Sequence, residues 1–348
     1  MLTAFTLISP CSNPHARRLF PLLFLGVSLG VAAAPAASQS QQAAQEPAGA
    51  QVQVRVELVR LAVSVSDARG LPVGGLKKEN FRVRADGVEQ PITFFGSVQA
   101  PAQALVLVET SPAVYLLRSE HIAAAGALLD GLAPDDRVAL ASYDQEPHLL
   151  LPLTADKAAL AHALFDLRYG LGSGQLNFCD AVSAALDWLA PVEGKKALIL
   201  LTTGLDTGPS SRWDALLARL RTSEVTIFPV ALGGELRVPG KKKNSAPIDS
   251  DAAPSFERAD REFETLAQLT GGRAFFPRSA GDFAPFYRQL AATLRQQYLL
   301  AFELPARDGR DHSLTVEVVD SSGLPLSAGP KARYRVSART SYRAPAPE

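Results

Sequence analysis

From Val52 the chain alternates apolar and polar positions with a period of two. Val52, Val54, Val56 and Leu58 share one face, and Val59, Leu61, Val63 and Val65 continue in the opposite phase. A period of two predicts a strand, and the change of phase predicts a bulge or a switch between sheets. Asp67 to Gly70 and Leu71-Pro72 end it with turn residues. Phe81-Arg82-Val83 and Ile92-Thr93-Phe94-Phe95 then flank Asp86-Gly87, a dipeptide that favours a tight hairpin because glycine accepts positive φ. Residues 51–100 therefore read as an N-terminal β segment.

From Ala104 strand and helix alternate. Leu105 to Val108 is a short all-apolar run of the kind buried on both faces of a parallel sheet. Helices are predicted over Tyr115 to Leu132, Asp156 to Arg168, Phe178 to Leu189, Arg212 to Arg221, Glu257 to Leu269 and Asp282 to Gln296. Strands are predicted over Arg137 to Tyr143, His148 to Leu153, Ala197 to Leu201, Val225 to Leu232 and Arg273 to Phe276. The polar stretch from Gly233 to Ser255, with Lys241-Lys242-Lys243, carries no periodicity and reads as a mobile surface loop. The alternation predicts an α/β domain over residues 101–297, a doubly wound, mostly parallel sheet with helices on both faces.

After Gln297 the pattern returns to β, with strands expected over Tyr298 to Leu304, Ser313 to Val319 and Arg333 to Ala338. This C-terminal β segment spans 298–343, with a tail at 344–348. It echoes the first: Leu61-x-Val63-x-Val65-x-Asp67-x-x-Gly70-Leu71-Pro72 has the spacing of Leu314-x-Val316-x-Val318-x-Asp320-x-x-Gly323-Leu324-Pro325. Neither flank has enough strands to be stable alone. The two are expected to pair into one β-sandwich with the α/β domain inserted between them.

The N-terminus is different in kind. His15, Arg17 and Arg18 precede an apolar run from Leu19 to Val31, and small residues from Ala32 to Ala37 follow. That order predicts a secretory signal peptide over residues 1–37, cleaved between Ala34 and Ala37. The run contains Pro21 and falls short of the ~20 apolar residues that span a bilayer. Residues 38–50, rich in Ala and Gln, read as a flexible leader. In composition, 35 Lys+Arg balance 35 Asp+Glu, which gives no global field to attract nucleic acid. Of two cysteines, Cys11 would leave with the signal, so Cys179 remains and no disulfide is expected. The mature chain is expected in the periplasm or outside the cell, with no membrane span.

In an open α/β sheet, ligands collect at the carboxyl ends of the strands, here the loops Glu109 to Val114, Gly170 to Asp180 and Thr202 to Ser211. None holds a dinucleotide fingerprint or a phosphate loop, and Gly172-Ser173-Gly174 has its glycines too close for a nucleophile elbow. His121, His148, His162 and His312 fall on unrelated elements, so no catalytic residue is assigned and the protein is expected not to be an enzyme. Cys179, beside Phe178, reads as a buried inert thiol, and Trp188 and Trp213 as packing residues.

The order of these elements resembles the von Willebrand factor type A domain. The resemblance rests on Glu109-Thr110-Ser111-Pro112-Ala113 after an apolar strand, Phe178-Cys179-Asp180-Ala181 opening a helix, and Leu200-Leu201-Thr202-Thr203-Gly204-Leu205-Asp206. Leu76 to Phe81, Thr270 to Phe275 and Gln297 to Phe302 extend it to the secreted bacterial, VWFA-related proteins of acidobacterial type. The resemblance implies a metal-ion-dependent adhesion site: D-x-S-x-S after the first strand, a Thr before the third helix and an Asp after the fourth strand. In this chain the first Asp is Glu109, Ser111 keeps its hydroxyl, and the second Ser is Ala113. The Thr position falls on Leu176 and the Asp position on Thr203, with Asp206 three residues further along. Mg²⁺ wants about six oxygens in octahedral array, so this degenerate set is expected to bind no metal and to need no cofactor. The expected function is a secreted, non-enzymatic adhesion-type module whose rim at Glu109, Ser111, Ala113, Leu176, Thr203 and Asp206 binds a protein or cell-envelope partner. A structural module of an envelope assembly and an extracytoplasmic hydrolase are the competing readings.

Overall fold

In the computed structural model, which describes residues 57–98, 101–170, 175–234, 237, 255–327 and 332–347, the alternating flanks of the chain form two four-stranded antiparallel sheets. The predicted signal peptide and leader, Val52 to Val56, Gly172-Ser173-Gly174 and the lysine triplet lie outside the described residues. The change of phase at Leu58 and Val59, expected to mark a bulge or a switch between sheets, brings neither there, since β1 runs through both in unbroken register with β10. The N-terminal flank supplies β1 (Leu58–Asp67), β2 (Phe81–Ala85), β3 (Val88–Gln90) and β4 (Phe94–Val98). The C-terminal flank supplies β10 (Gln297–Glu303), β11 (Asp311–Val318), β12 (Tyr334–Ser337) and β13 (Ser341–Arg343). One sheet has the order β12-β1-β10-β4 and the other β13-β11-β2-β3, so each mixes strands from both ends of the chain. β1 pairs with β10 from Leu58↔Glu303 to Ser64↔Gln297, and β2 pairs with β11 from Phe81↔Val318 to Ala85↔Leu314. Leu61, Val63, Val83, Leu300, Phe302 and Val318 face inward into one shared core. Each sheet covers the apolar face of the other, as in any sandwich.

The hairpin expected around Asp86-Gly87 has a different second strand. β2 turns through Asp86 and Gly87, at φ 49° and 80°, and pairs with β3; two positive angles in succession are what a two-residue type I′ turn requires. Phe94–Val98 crosses to the other sheet and pairs with β10. The echoed segments build the same turn twice. Asp67 Oδ1 accepts from the amides of Arg69 and Leu71, and Asp320 Oδ1 from those of Ser322 and Leu324. Each turn closes on a single bridge, Ser66↔Pro72 in one sheet and Val319↔Pro325 in the other.

Between the flanks run β5 (Ala102–Glu109), α1 (Arg118–Gly131), β6 (Arg137–Tyr143), β7 (Pro147–Thr154), α2 (Lys157–Phe165), α3 (Phe178–Leu189), β8 (Lys195–Thr202), α4 (Ser211–Leu220), β9 (Thr226–Ala231), α5 (Phe256–Thr270) and α6 (Ala280–Arg295). The sheet order is β7-β6-β5-β8-β9, parallel except for the edge strand β7. β5 shows why its run lacks alternation. Ala104, Val106 and Val108 pack with α1, α2 and α6, while Leu105 and Leu107 pack with α3, α4 and α5, so both faces are dry. The helix expected from Tyr115 begins as a 3₁₀ turn, Pro112–Leu117, ahead of α1. The strand expected over Arg273 to Phe276 reduces to one parallel bridge, Val230↔Phe275. The Phe275 amide donates to the Pro229 carbonyl and its carbonyl accepts from Ala231; the next rung would need an N–H on residue 229, and proline has none. Among the described residues no helix is long and apolar enough to cross a membrane.

Candidate functional site

β6, β5 and β8 lie side by side and end in Tyr143, Glu109 and Thr202. Parallel strands in register bring their last residues to one level, so three apolar strands deliver three polar side chains to the carboxyl edge of the sheet. Glu109 is fully buried, and Ser111, Tyr143, Thr202 and Thr203 are buried around it.

Glu109 is the centre of the group. Its Oε1 accepts from Ser111 Oγ at 2.5 Å. Its Oε2 accepts from the hydroxyls of Thr202 and Thr203 at 2.8 and 2.7 Å and from the Thr203 amide at 2.7 Å. The Tyr143 hydroxyl is 3.5 Å from the same oxygen and 2.5 Å from Thr202 Oγ1, which in turn accepts from the Gly204 amide at 2.9 Å. Burial and the nearby Glu109 charge hold the Tyr143 phenol well above its ordinary range, so it stays a hydroxyl. A buried carboxylate is tolerated when hydrogen bonds satisfy its oxygens, and four donors from two loops do so here.

Positive charge comes from Arg237. Its guanidinium donates to the Thr203 carbonyl and to the Leu232 carbonyl, pairs with Asp260, and lies over the rings of Phe256 and Phe263 at 4.8 and 5.6 Å. Burial lowers its pKa to about 10, with the Glu109 charge opposing that shift, so it remains a cation at neutral pH. Arg237 falls in the stretch expected to be a mobile surface loop, and these anchored contacts correct that expectation for this residue. Gly204, at φ 72°, turns the chain under α5; a Cβ there would meet Phe263 Cζ at 2.5 Å.

Of the six residues carried over from the family pattern, Glu109, Ser111 and Thr203 meet. Leu176 is buried in the core below, and its backbone is stitched to Thr207. Asp206 uses both oxygens elsewhere: Oδ2 accepts from the Cys179 amide at 2.9 Å and Oδ1 from the Gly208 amide at 2.7 Å. It therefore caps the first turn of α3 from a separate loop. Ala113 lies in the 3₁₀ turn. Tyr143, Thr202 and Arg237 were not singled out in the sequence; a lone polar residue closing an apolar strand was the available signal for the first two. Glu109, Ser111, Leu176 and Thr203 are too buried to touch a partner directly. Exposed residues beside them include Pro112, Tyr115, Gln175 and Thr207.

This arrangement does not fit a divalent cation. A cation site aims lone pairs at one empty point, whereas here the longer arm of glutamate puts a carboxylate where the hydroxyls of Ser111, Thr202 and Thr203 converge, and their protons point at it. Leu176 offers no oxygen, and both Asp206 oxygens are occupied. The remaining candidates stand apart from the group. His148 and His162 are exposed, and His312 lies in the sandwich between Asp86 and Asp308. Cys179 is buried, and burial pushes its thiol pKa far up. Trp188 and Trp213 pack against the core.

An open α/β sheet with a polar group at the carboxyl ends of its central strands defines a domain class that presents loops to a ligand or partner. Residues 119–269 match the von Willebrand factor type A domain family. The matched span begins after Glu109 to Ala113. Similar solved structures include a von Willebrand factor type A protein from Catenulispora acidiphila, at 13% identity and TM-score 0.44, covering 85% of this chain and 76% of that one. An aerotolerance-related membrane protein from Bacteroides fragilis has 14% identity and TM-score 0.41, covering 55% of this chain and 98% of that one. The von Willebrand domain of the type V pili tip protein Mfa5 from Porphyromonas gingivalis has 24% identity and TM-score 0.29, covering 31% of this chain and 40% of that one. No curated protein matches in sequence.

Proposed function

We propose that the chain is an exported, non-enzymatic interaction protein whose degenerate metal-ion-dependent adhesion site works without a metal. The observation that carries this reading is the Glu109 carboxylate, which takes the hydroxyl protons of Ser111, Thr202 and Thr203 and stands where a bridging cation would. Glu109 ties the loop after β5 to the loop after β8 and so holds the rim in one arrangement. A protein or cell-envelope partner then contacts the exposed shell around it, with Tyr115 as the aromatic anchor of the kind that dominates interface energies. Hydrolysis is disfavoured because the Ser111 hydroxyl is buried and the Glu109 carboxylate it donates to already accepts from three further donors. Export follows from the order of charged, apolar and small residues over 1–37.

The test is co-purification of a partner from envelope extract, with the purified protein as bait, in the presence and absence of EDTA. Capture is expected to be the same with and without chelator and to fall in Tyr115→Ala. Chelator-sensitive capture would refute the metal-free mechanism, and capture unaffected by Tyr115→Ala would move the interface off the rim.

A further inference from the structure

The opposite end of the α/β sheet holds a cleft of about 550 Å³, between the starts of β8 and β9 and the outer face of β1 and β10. Ala62 and Leu299, register partners across β1 and β10, and Val192 after α3 give it an apolar lining. Four cations line it, Arg60, Lys195, Lys196 and Arg339, against two carboxylates, Glu193 and Glu224. Glu224 is shared, 3.9 Å from Arg60 and 3.6 Å from Lys196.

Arg339 is the informative member. Its Nε donates to the Ser341 carbonyl at 2.8 Å and its Nη2 to the Arg221 carbonyl at 2.5 Å, at the C-terminus of α4. Both acceptors are neutral. Asp311, close by in the fold, is engaged by Arg221 and Arg343 at 3.3 and 3.8 Å. Among the described residues no carboxylate forms an ion pair with Arg339, and burial lowers the pKa of its guanidinium, with Glu224 opposing. The helix terminus supplies part of a counter-charge. A desolvated cation held in one orientation is otherwise unfavourable until an anion joins it.

We propose that this cleft binds a small organic anion, with an apolar body on Ala62, Leu299 and Val192 and a carboxylate or phosphate head held by Arg339 and the lysines that open β8. The volume falls within the usual range of small-molecule pockets, and the junction of two sheets is a common place for one. The site uses the opposite ends of the strands from Glu109, so it stands or falls separately from the rim.

Isothermal titration of the purified protein with benzyl phosphate tests it, with benzyl alcohol as the neutral counterpart. Saturable binding at or below about 1 mM is expected for the phosphate, with none for the alcohol. Affinity is expected to fall about tenfold or more in Arg339→Gln. Ala62→Trp, on the outward face of β1, fills the cleft without touching either core and is expected to abolish binding, which keeps the test valid if Arg339→Gln disturbs the end of α4. Failure of benzyl phosphate to saturate, equal binding of benzyl alcohol, or binding that survives Ala62→Trp overturns the proposal.

Discussion

The two ends of the α/β sheet treat polar groups in opposite ways. At the carboxyl ends of β5, β6 and β8, one carboxylate is matched by four donors, and Arg237 brings a positive charge close by. At the amino ends of β8 and β9, cations outnumber carboxylates and Arg339 rests on neutral carbonyls. The difference teaches that position in a fold does not decide whether a polar cluster is a site or a scaffold. Whether its bonding capacity is already filled from within the chain decides it. The carboxyl end sits where ligands usually bind, yet its buried groups are occupied with one another; the amino end still has charge to offer.

The strongest way to break this contrast is to remove the acceptor at its centre. Glu109→Leu removes the acceptor shared by the Thr203 amide and the hydroxyls of Ser111, Thr202 and Thr203 and is expected to destabilise the protein by about 3–5 kcal/mol in urea unfolding. Glu109→Gln keeps an acceptor oxygen and should lose less. If Glu109→Leu unfolds at the wild-type midpoint, the cluster is not a structural unit. Gly204→Ala comes next: it forces a Cβ onto Phe263 at a positive φ, and about 1–3 kcal/mol should be lost. Asp206→Ala removes the cap on the Cys179 amide and should cost about 1 kcal/mol, with hydrogen exchange rising first at the start of α3.

A third polar cluster, in the sandwich, gives a smaller effect that depends on pH. His312 Nδ1 lies 2.7 Å from Asp86 and Nε2 3.1 Å from Asp308, and its ring stacks on Tyr342. Hydrogen bonds to Asp86 and then Asp308 raise the imidazole pKa above its ordinary 6.5. The imidazolium therefore adds stability that is fully present below 6.5 and lost as pH rises through the raised native value. The carboxyls of Asp86 and Asp308 are shifted the other way, down from 3.8, so their share is present above 3.8 and lost as pH falls through the lowered values. His312→Gln should flatten the pH dependence of the unfolding midpoint above 6.5, and an unchanged slope would remove His312 from this role. The smallest expected effect is none: EDTA should leave the thermal midpoint unchanged, and a fall on chelation would show that a bound cation, and not Glu109 alone, holds the carboxyl end together.

Much of the fold could be read from the chain because its signals are local. Period-two alternation marked β1, the all-apolar run marked β5 as a central strand, and Asp156 marked the start of α2, where its side chain accepts from the Ala158 and Ala159 amides. The repeated Asp-x-x-Gly-Leu-Pro spacing marked two turns that are built alike. What the chain did not reveal depends on distant partners. Val88–Gln90 is short and exposed at its start, so alternation pointed past it to Ile92–Phe95. Arg237 sits in a polar stretch without periodicity, and its bond to the Thr203 carbonyl and its packing on Phe256 and Phe263, all made by the fold, bring it into the site. Asp206 read as a cap of the following turn before it read as a spare ligand; one oxygen does meet the Gly208 amide, but the bond of the other to the Cys179 amide at the start of α3 comes only from the fold.

The sequence by itself determined the α/β class of the domain and the order of its elements, because periodicity and turn chemistry are encoded over a few neighbouring residues, while the residues standing at the family's metal positions were named by resemblance. Only the tertiary structure decided what those residues do. Whether Glu109 reaches a cation or fills the space itself depends on the length of its arm relative to hydroxyls that arrive from β8, more than ninety residues away. The counter-charge available to Arg339 likewise depends on which carboxylates the fold has already paired.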